Sequence, residues 1–311
     1  MKPCRLLAVV LFAIVAVMSV SGDPASTKIS HAFSVSPDAS TAAACAQNPG
    51  ASPSDSTAEQ PNSAPDEEPS QRRPRTTVLG TRFAVYPQFD RVLEDKIVSL
   101  RNQIRAERGK GKFIAYISVP LTGRGGGHQE TNNDISRFTK LQLEAMYGSD
   151  RLWALSPGQV ESTIPSVDGL NAGGGEYMYM WTQVLAGEDG LGRDFDMVYF
   201  VGPKDMLAFF NLGRGAILES LDRYVDDRAA TDESFRGEIA ENPKNRQAFL
   251  RYYGLRASAS FSSGALDEWN IFRIINARRS IGDQIPAYFN HRAISPGEMS
   301  TVARPGYELV P

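Results

Sequence analysis

Apolar positions first recur at helical spacing near the start of the region rich in large side chains. Leu93, Ile97, Leu100 and Ile104 follow one another at intervals of three and four residues, and Gly109 comes behind them. This spacing places the four side chains on one face of a helix, and a glycine commonly ends such a helix. We therefore predict an amphipathic helix that packs its apolar face against a core.

Three short apolar runs follow a different pattern. Residues 113–119, 152–155 and 197–201 are nearly continuous stretches of apolar residues, and each is followed within two residues by proline. Apolar runs of this length, without the spacing of an amphipathic helix, indicate strands that are buried on both faces of a parallel sheet. We predict one strand from each run.

Helical segments separate these strands. Asp134 is positioned to cap a helix that ends near Gly148, and residues 176–186 and 216–224 are predicted to be helical. The repeated order of strand and helix predicts an α/β fold with a parallel sheet flanked by helices.

The last third of the chain is more helical. Residues 243–253 and 266–278 are predicted to form extra C-terminal helices, and the alternating residues 255–261 between them are predicted to form a strand. Proline and glycine recur throughout residues 285–311, so we expect an extended segment on the surface.

The N-terminus has the pattern of a secretory signal peptide. Lys2 and Arg5 precede 13 apolar residues, and small residues then lead up to Asp23. The alternative is a membrane anchor, but the run is short for about 30 Å of hydrocarbon. We predict a signal peptide over residues 1–22, export to the periplasm or the outside of the cell, and no stable membrane anchor after cleavage.

A spacer follows the signal peptide. Residues 23–77 are rich in serine, alanine and proline, and such a segment buries too little apolar surface to offset its ordering entropy. We predict that it is disordered and that its basic patch, Arg72, Arg73 and Arg75, is solvated. Residues 78–311 are then predicted to form a single α/β domain.

The composition of the chain argues against several classes of ligand. The 311-residue chain carries a formal net charge of −3, so no basic excess favours nucleic acid. Its two cysteines and three histidines are too few and too far apart for a cysteine-rich zinc module or a histidine-built metal centre. We therefore expect no cofactor and no metal, and a small molecule as the ligand.

Three loops follow the predicted strands and meet at the carboxyl edge of the sheet, where such folds bind ligands. The first contains Arg124, Gly125, Gly126 and His128, and the third contains Asp205. We predict that these five residues bind the ligand, through exposed amides and the guanidinium group. Neither a dinucleotide fingerprint nor a phosphate loop is present, and a mobile surface loop is the alternative interpretation.

His128 has two interpretations of its own. It is either a general base or an ordinary hydrogen-bonding residue, and the chain has no Gly-x-Ser-x-Gly turn for it to activate. The second of the three loops, residues 156–175, ends in three glycines. Its aromatic neighbours Tyr177, Tyr179 and Trp181 are either a stacking face for a ring or, more simply, part of the core.

Carboxylates are the more specific signal. Glu219 comes four residues after a glycine that opens a predicted helix, where the helix dipole favours an ionised side chain. Such a carboxylate suits a nucleophile, although an exposed glutamate in a first turn is the alternative. Glu188 and Asp196 lie just before the third predicted strand, eight residues apart, and complete the predicted catalytic set.

Several short motifs between residues 113 and 224 resemble the nucleoside 2-deoxyribosyltransferase family. Residues 119–121 are similar to the end of that family's first strand, and 155–157 to the end of its second. The spacing of Glu188 and Asp196 is similar to that of two acidic residues in the family, and residues 215–219 match its Gly-x-x-x-Glu motif.

The resemblance implies a reaction as well as a fold. It implies cleavage of an N-glycosyl bond by double displacement, in which Glu219 attacks the anomeric carbon. Glu188 would position the sugar or transfer a proton. The alternatives are a ligand-binding domain without turnover and an interaction domain presented by the spacer. A separation of about 5–10 Å between Glu219 and Glu188 across a cleft would favour the enzyme.

Overall fold

The computed structural model of the chain describes residues 71–121, 123–159, 162–212 and 217–310. The predicted signal peptide and almost all of the predicted spacer lie outside these residues. The described residues all belong to one compact unit.

A mostly parallel sheet organises this unit, as the apolar runs predict. Its strand order is β4-β3-β5-β6-β7, in which the first four strands are parallel and β7 is antiparallel to β6. The strands are β3 (Phe113–Ser118), β4 (Leu152–Leu155), β5 (Met197–Phe200), β6 (Ala287–Phe289) and β7 (Arg292–Ile294).

The first three sheet strands confirm the three predicted runs, but the last two correct a prediction. Residues 285–311 were expected to lie extended on the surface, whereas β6 pairs directly with the central strand β5. Its three residues are too few for a recognisable apolar run. Ile285 and Ala287 are nevertheless almost fully buried, so packing against the sheet defines this strand.

Helices cover both faces of the sheet. One layer contains α1 (Asp90–Gly109), α3 (Gly174–Ala186) and α8 (Ser263–Ala277). The other contains α2 (Gln129–Tyr147), α4 (Pro203–Phe209), α5 (Ile217–Thr231) and α7 (Pro243–Arg251). Two short helices, α6 (Glu233–Phe235) and α9 (Pro296–Met299), complete the described set.

Most helix predictions are confirmed, but one predicted helix cap and one predicted strand are wrong. Asp134 does not cap α2, because the helix begins five residues earlier with His128 as its cap, and Asp134 instead pairs with Arg228. Residues 255–261 do not form a strand. They complete a π-helical turn (Tyr252–Arg256) and form a 3-10 turn (Ala259–Phe261), in which the backbone N–H of Ala259 donates a hydrogen bond to the carbonyl of Val201.

A hairpin at the start of the described chain corrects the predicted domain boundary. Strand β1 (Arg73–Thr76) pairs antiparallel with β2 (Arg82–Val85), so ordered structure begins before residue 78. The basic patch is also not simply solvated. Arg72 lies 4.4 Å from the centre of the Tyr86 ring, and Arg75 lies 4.6 Å from that of Tyr179. The contact of Arg75 with Tyr179 fastens the hairpin to α3, whereas Arg72 packs on the residue that follows β2.

The C-terminal residues 301–309 form a strap along α8. The carboxylate of Asp267 accepts hydrogen bonds from the backbone N–H groups of Gly306 and Tyr307, both at 2.7 Å. Asn270 and Ala303 exchange two further hydrogen bonds, and Glu308 forms an isolated bridge with Phe83. The strap therefore joins α8 to the hairpin.

One edge of the sheet is closed by side chains. Glu144 accepts a hydrogen bond from the backbone N–H of Ala154 on β4, and Lys140 donates to the carbonyl of the same residue. Lys140 and Glu144 also pair with each other at 2.6 Å. The outward-facing backbone groups of this edge residue are thereby satisfied within the chain.

A search of the described helices finds none with the length and apolar content needed to cross a membrane.

Candidate functional site

A cavity of about 370 Å³ opens at the carboxyl edge of the sheet. Val119 and Pro157, which follow β3 and β4, form part of its wall, and the N-terminal parts of three helices complete it. Gln129 of α2, Gly174 of α3 and Glu268 of α8 border the space.

The topology explains why a cavity forms here. The chain passes from β3 through α2 to β4 on one side, and then through α3 back across to β5 on the other. Because the connection that follows β3 and the connection that follows β4 run to opposite faces of the sheet, they separate at the carboxyl ends of these adjacent strands and leave a crevice. The cavity occupies this edge, beside β3.

Glu268 is the principal chemical group in this cavity. It lies on the apolar face of α8, four residues before Phe272, and is only 5% exposed. The Tyr116 hydroxyl donates to its Oε1 at 2.5 Å, and the Ser118 hydroxyl donates to its Oε2 at 2.5 Å. Loss of hydration on burial outweighs these hydrogen bonds and raises the pKa of Glu268 to about 7.

The two hydroxyl donors lie on the same face of β3, because side chains along a strand alternate between its two faces. Tyr116 and Ser118 are two residues apart on β3, so both side chains lie on the face covered by α8. Burial raises the pKa of the Tyr116 phenol well above its usual value, so this group stays protonated and keeps donating to Glu268. Its ring packs 5.5 Å from that of Trp181 and 5.9 Å from that of Phe272.

Aromatic side chains form one wall of the cavity. Tyr177, Trp181 and Tyr307 all border it, with Met178 beside them. Trp181 is 3% exposed, and Tyr179 is buried without bordering the cavity. The aromatic cluster of the sequence is therefore mostly core, as the simpler interpretation predicts, while Tyr177 and Trp181 also contribute to the site.

Polar side chains line the opposite part of the cavity, among them Gln129, Asn133 and Gln159. Ser162 borders the cavity as well and is 1% exposed. Within the described part of the chain its hydroxyl has no hydrogen-bond partner. A buried hydroxyl without a partner costs free energy, which a ligand that bonds to it would recover.

The glycines of the second loop are explained by close packing. A Cβ on Gly174 would collide with the Tyr307 ring, and a Cβ on Gly175 would collide with the carbonyl of Ala84. These glycines allow the strap and the hairpin to approach the start of α3. Their backbone is therefore fixed by neighbouring segments of the chain.

The glycines of the first loop have a similar explanation. Gly126 has a φ of +105°, and a Cβ on it would collide with the carbonyl of Ala248 on α7. Gly125 has a φ of +75° and lies in the 3-10 turn that begins at Arg124, whose side chain is outside the described set. Gly123 borders the cavity, whereas Gly125 and Gly126 pack beside α7.

His128 is held as a helix cap. Its Nδ1 accepts a hydrogen bond from the backbone N–H of Thr131 at 3.2 Å, and the ring is buried against Phe235. Burial lowers the pKa of His128, so the neutral ring is favoured. Because Nδ1 already accepts this bond, the geometry favours the hydrogen-bonding interpretation over the general base.

Asp205 lies at the carboxyl end of β5 and caps α4. Its carboxylate accepts hydrogen bonds at 2.7 Å from the Tyr199 hydroxyl and from the backbone N–H of Gly202. His291 Nε2 lies 3.1 Å from the same carboxylate. Burial raises the pKa of Asp205 despite these donors. The residue is near the predicted edge but does not border the cavity.

Glu188 and Asp196 lie at the other end of the sheet. Asp196 precedes β5 and accepts a hydrogen bond from the backbone N–H of Ile114, at the start of β3, and another from Arg108. Glu188 is exposed and pairs with Arg105 at 3.0 Å. Both residues therefore connect the amino edge of the sheet to α1.

Glu219 is in the first turn of α5, as predicted, and is exposed. The glycine-rich residues 213–216 before it lie outside the described set. Since α5 packs on one face of the sheet and Glu188 follows α3 on the other, the structure does not bring this pair together. Neither residue borders the cavity.

The residue that sequence reasoning missed is Glu268. It lies within the helix predicted for residues 266–278, whose apolar residues include Trp269, Phe272 and Ile275. Glu268, Phe272 and Ile275 are spaced by four and three residues, so a carboxylate interrupts an otherwise apolar face. A charged residue in such a position is the signal that would have identified it.

The described residues contain no group of three or more histidine, cysteine, aspartate or glutamate side chains that could hold a metal ion. Comparison of the chain with family models, with curated proteins and with solved structures finds no match. The assignment of this site therefore depends on the geometry of Glu268 and the cavity around it.

Proposed function

We propose that this protein is an enzyme that acts on a small molecule bound in the cavity at the carboxyl edge, with Glu268 as its proton-transfer group. The observation that supports this most strongly is a carboxyl group that is only 5% exposed, borders a cavity and has its pKa raised to about 7. Groups of this kind concentrate at functional sites.

The surroundings of Glu268 suit this role. A proton-transfer group works best when its pKa is near the working pH, because both of its forms are then available. The hydroxyls of Tyr116 and Ser118 fix the carboxylate in one orientation. Neither hydroxyl takes the proton from Glu268 near neutral pH. Glu268 can therefore exchange this proton with a ligand.

Glycosyl transfer, the reaction implied by the sequence resemblance, belongs among the reactions to assay. In this cavity Glu268 replaces Glu219 as the carboxylate that would meet the substrate. Glu219 is exposed on α5 and Glu188 is 73% exposed beside α1, so neither is desolvated as Glu268 is. A desolvated carboxylate interacts more strongly with a developing positive charge.

Binding without turnover is the second candidate. It is favoured by one observation, that Glu268 is the single carboxyl group among the described residues that border the cavity. Many hydrolytic and glycosyl-transferring sites use two ionisable groups. A ligand that binds near Glu268 and is never converted would support this candidate.

We further propose that the protein is exported. The support is the N-terminal pattern of two basic residues, an apolar run and small residues before Asp23. Mass measurement of exported protein should give a chain that begins at or near Asp23. Membrane-inserted material that retains Met1 would contradict the proposal.

A ligand screen tests the proposed enzyme. The full chain is heated with a metabolite library, and each ligand that raises its Tm is then assayed for conversion. Glu268→Gln should lower turnover by about 10²–10⁴-fold, since the amide cannot transfer a proton. Glu219→Gln is the matched control and should leave turnover unchanged. Unchanged turnover in Glu268→Gln would reject the proposal.

A further inference from the structure

Four acidic side chains are buried in the described part of the chain, and one of them differs from the others. They are Glu176, Asp205, Asp267 and Glu268. Each of the first three faces a cation, a backbone N–H group or both. Among the described residues, the hydrogen-bond donors to Glu268 are two hydroxyl groups.

The partners of the first three are well defined. Glu176 pairs with Arg72 at 3.0 Å and also accepts backbone N–H groups. Asp205 lies 3.1 Å from His291 Nε2 and accepts a hydrogen bond from the backbone N–H of Gly202. Asp267 accepts hydrogen bonds from the backbone N–H groups of Gly306 and Tyr307 in the strap. These donors carry positive charge or are oriented dipoles, so they offset the cost of a buried carboxylate.

The ionised form of Glu268 has no such compensation. The hydroxyls of Tyr116 and Ser118 are neutral donors, and the neighbouring carboxylate of Asp267 opposes its ionisation. A buried charge is ordinarily paired, because an unpaired one is costly. Since Glu268 borders the cavity, a ligand can supply the missing positive charge.

The other walls of the cavity fit a positive charge. Tyr177, Trp181 and Tyr307 border it, and the faces of aromatic rings attract cations. The described residues that border the cavity include neither lysine nor arginine. A cation that enters would therefore meet a carboxylate and aromatic rings without a competing basic side chain from this set.

We propose that the ligand of this cavity is a small organic cation, an alkylammonium or a protonated amine, whose charge lies against Glu268 with its alkyl groups beside Trp181. This inference rests on the proposed function and names the class of molecule that the same site takes. The ligand ionises Glu268 as it binds, because the pair is more stable than the buried carboxylate alone.

Binding should therefore depend on pH. The groups that face Glu268 are Tyr116 and Ser118 from β3 and Asp267 from its own helix. Tyr116 stays protonated. Burial raises the pKa of Asp267, although the N–H groups of the strap oppose this shift. Ionisation of Glu268 is then the change that controls affinity, so a permanently charged ligand should bind at least about tenfold more tightly near pH 8 than near pH 5.

Two molecules of the same shape provide the test. Choline carries a quaternary ammonium group, and 3,3-dimethylbutan-1-ol has a carbon atom in place of its nitrogen. Titration calorimetry with the full chain near pH 8 should show choline binding about tenfold more tightly or better. In Glu268→Gln this preference should disappear, whereas in the control Glu219→Gln it should remain.

Several results would overturn the inference. These are equal affinity for the two probes, a preference for choline that survives in Glu268→Gln, and binding of neither probe. If Glu268→Gln does not fold, the affinities of the two probes for the natural chain near pH 5 and near pH 8 still test the inference. A neutral ligand that is converted with the help of Glu268 would overturn the inference and leave the proposed function standing.

Discussion

Two glutamates are buried in the same helical layer, and their surroundings give them opposite roles. Glu176 opens α3, where Arg72, the N–H of Tyr86 and the N–H of Gly173 all donate to its carboxylate. Glu268 lies on α8 beside the cavity. Its described hydrogen-bond donors are two hydroxyl groups. The first carboxylate is fully compensated and stabilises the fold, whereas the second stays close to its protonation midpoint and is available to a ligand.

Removing the charge of Glu176 should have the largest effect on stability. Glu176→Gln removes the charge that faces Arg72 and keeps only one carbonyl oxygen for three donors, so at least one donor loses its acceptor. We expect the free energy of unfolding to fall by about 3 kcal/mol. Urea denaturation measures this change, with the exposed Glu219→Gln as control. A loss as small as that of the control would show that the hairpin is held elsewhere.

Glu268→Gln should change the pH dependence of stability more than stability itself. The folded-state pKa of Glu268 is raised to about 7 from 4.5, so this group stabilises the fold below pH 4.5 and loses that contribution as the pH rises through 7. The loss is at most about 3 kcal/mol. The variant should therefore gain stability relative to the natural chain between about pH 4.5 and pH 8.

Denaturation curves at the two pH values measure this gain. Glu219→Gln should show none of it, because its carboxylate is exposed. An equal difference between Glu268→Gln and the natural chain at both pH values would mean that Glu268 does not titrate in this range.

A smaller effect is expected at the partner of Glu176. Arg72→Gln removes the cation but leaves both backbone donors on the carboxylate, and the Arg72 side chain is 39% exposed. We expect a loss of about 1–2 kcal/mol. Limited proteolysis with trypsin gives a second measurement, since cleavage after Arg75 in β1 should become faster in the variant. Unchanged protection would place the start of the ordered domain nearer residue 78.

The larger elements of the fold could be predicted because each depends on local pattern. Leu93, Ile97, Leu100 and Ile104 are all buried on α1, as their spacing predicts. β6 could not be found in this way. It is three residues long, and its place beside β5 depends on contacts between segments almost ninety residues apart.

The candidate site was harder to predict for the same reason. Glu219 and Glu188 were chosen from motif spacing, which describes neighbours along the chain. Glu268 acquires its properties from Tyr116 and Ser118, which are about 150 residues away in sequence. Only the packing of α8 on β3 brings these three side chains together, and no local pattern encodes that packing.

The closed sheet edge has a consequence for how copies of this protein meet. An open edge strand can recruit a strand from another molecule and begin the growth of aggregates. At β4 an incoming strand would first have to displace Lys140 and Glu144 from the backbone of Ala154. At the opposite edge β7 offers only three residues and begins with Arg292. Both edge strands of this sheet, β4 and β7, therefore resist edge-to-edge pairing with strands of other copies of the protein.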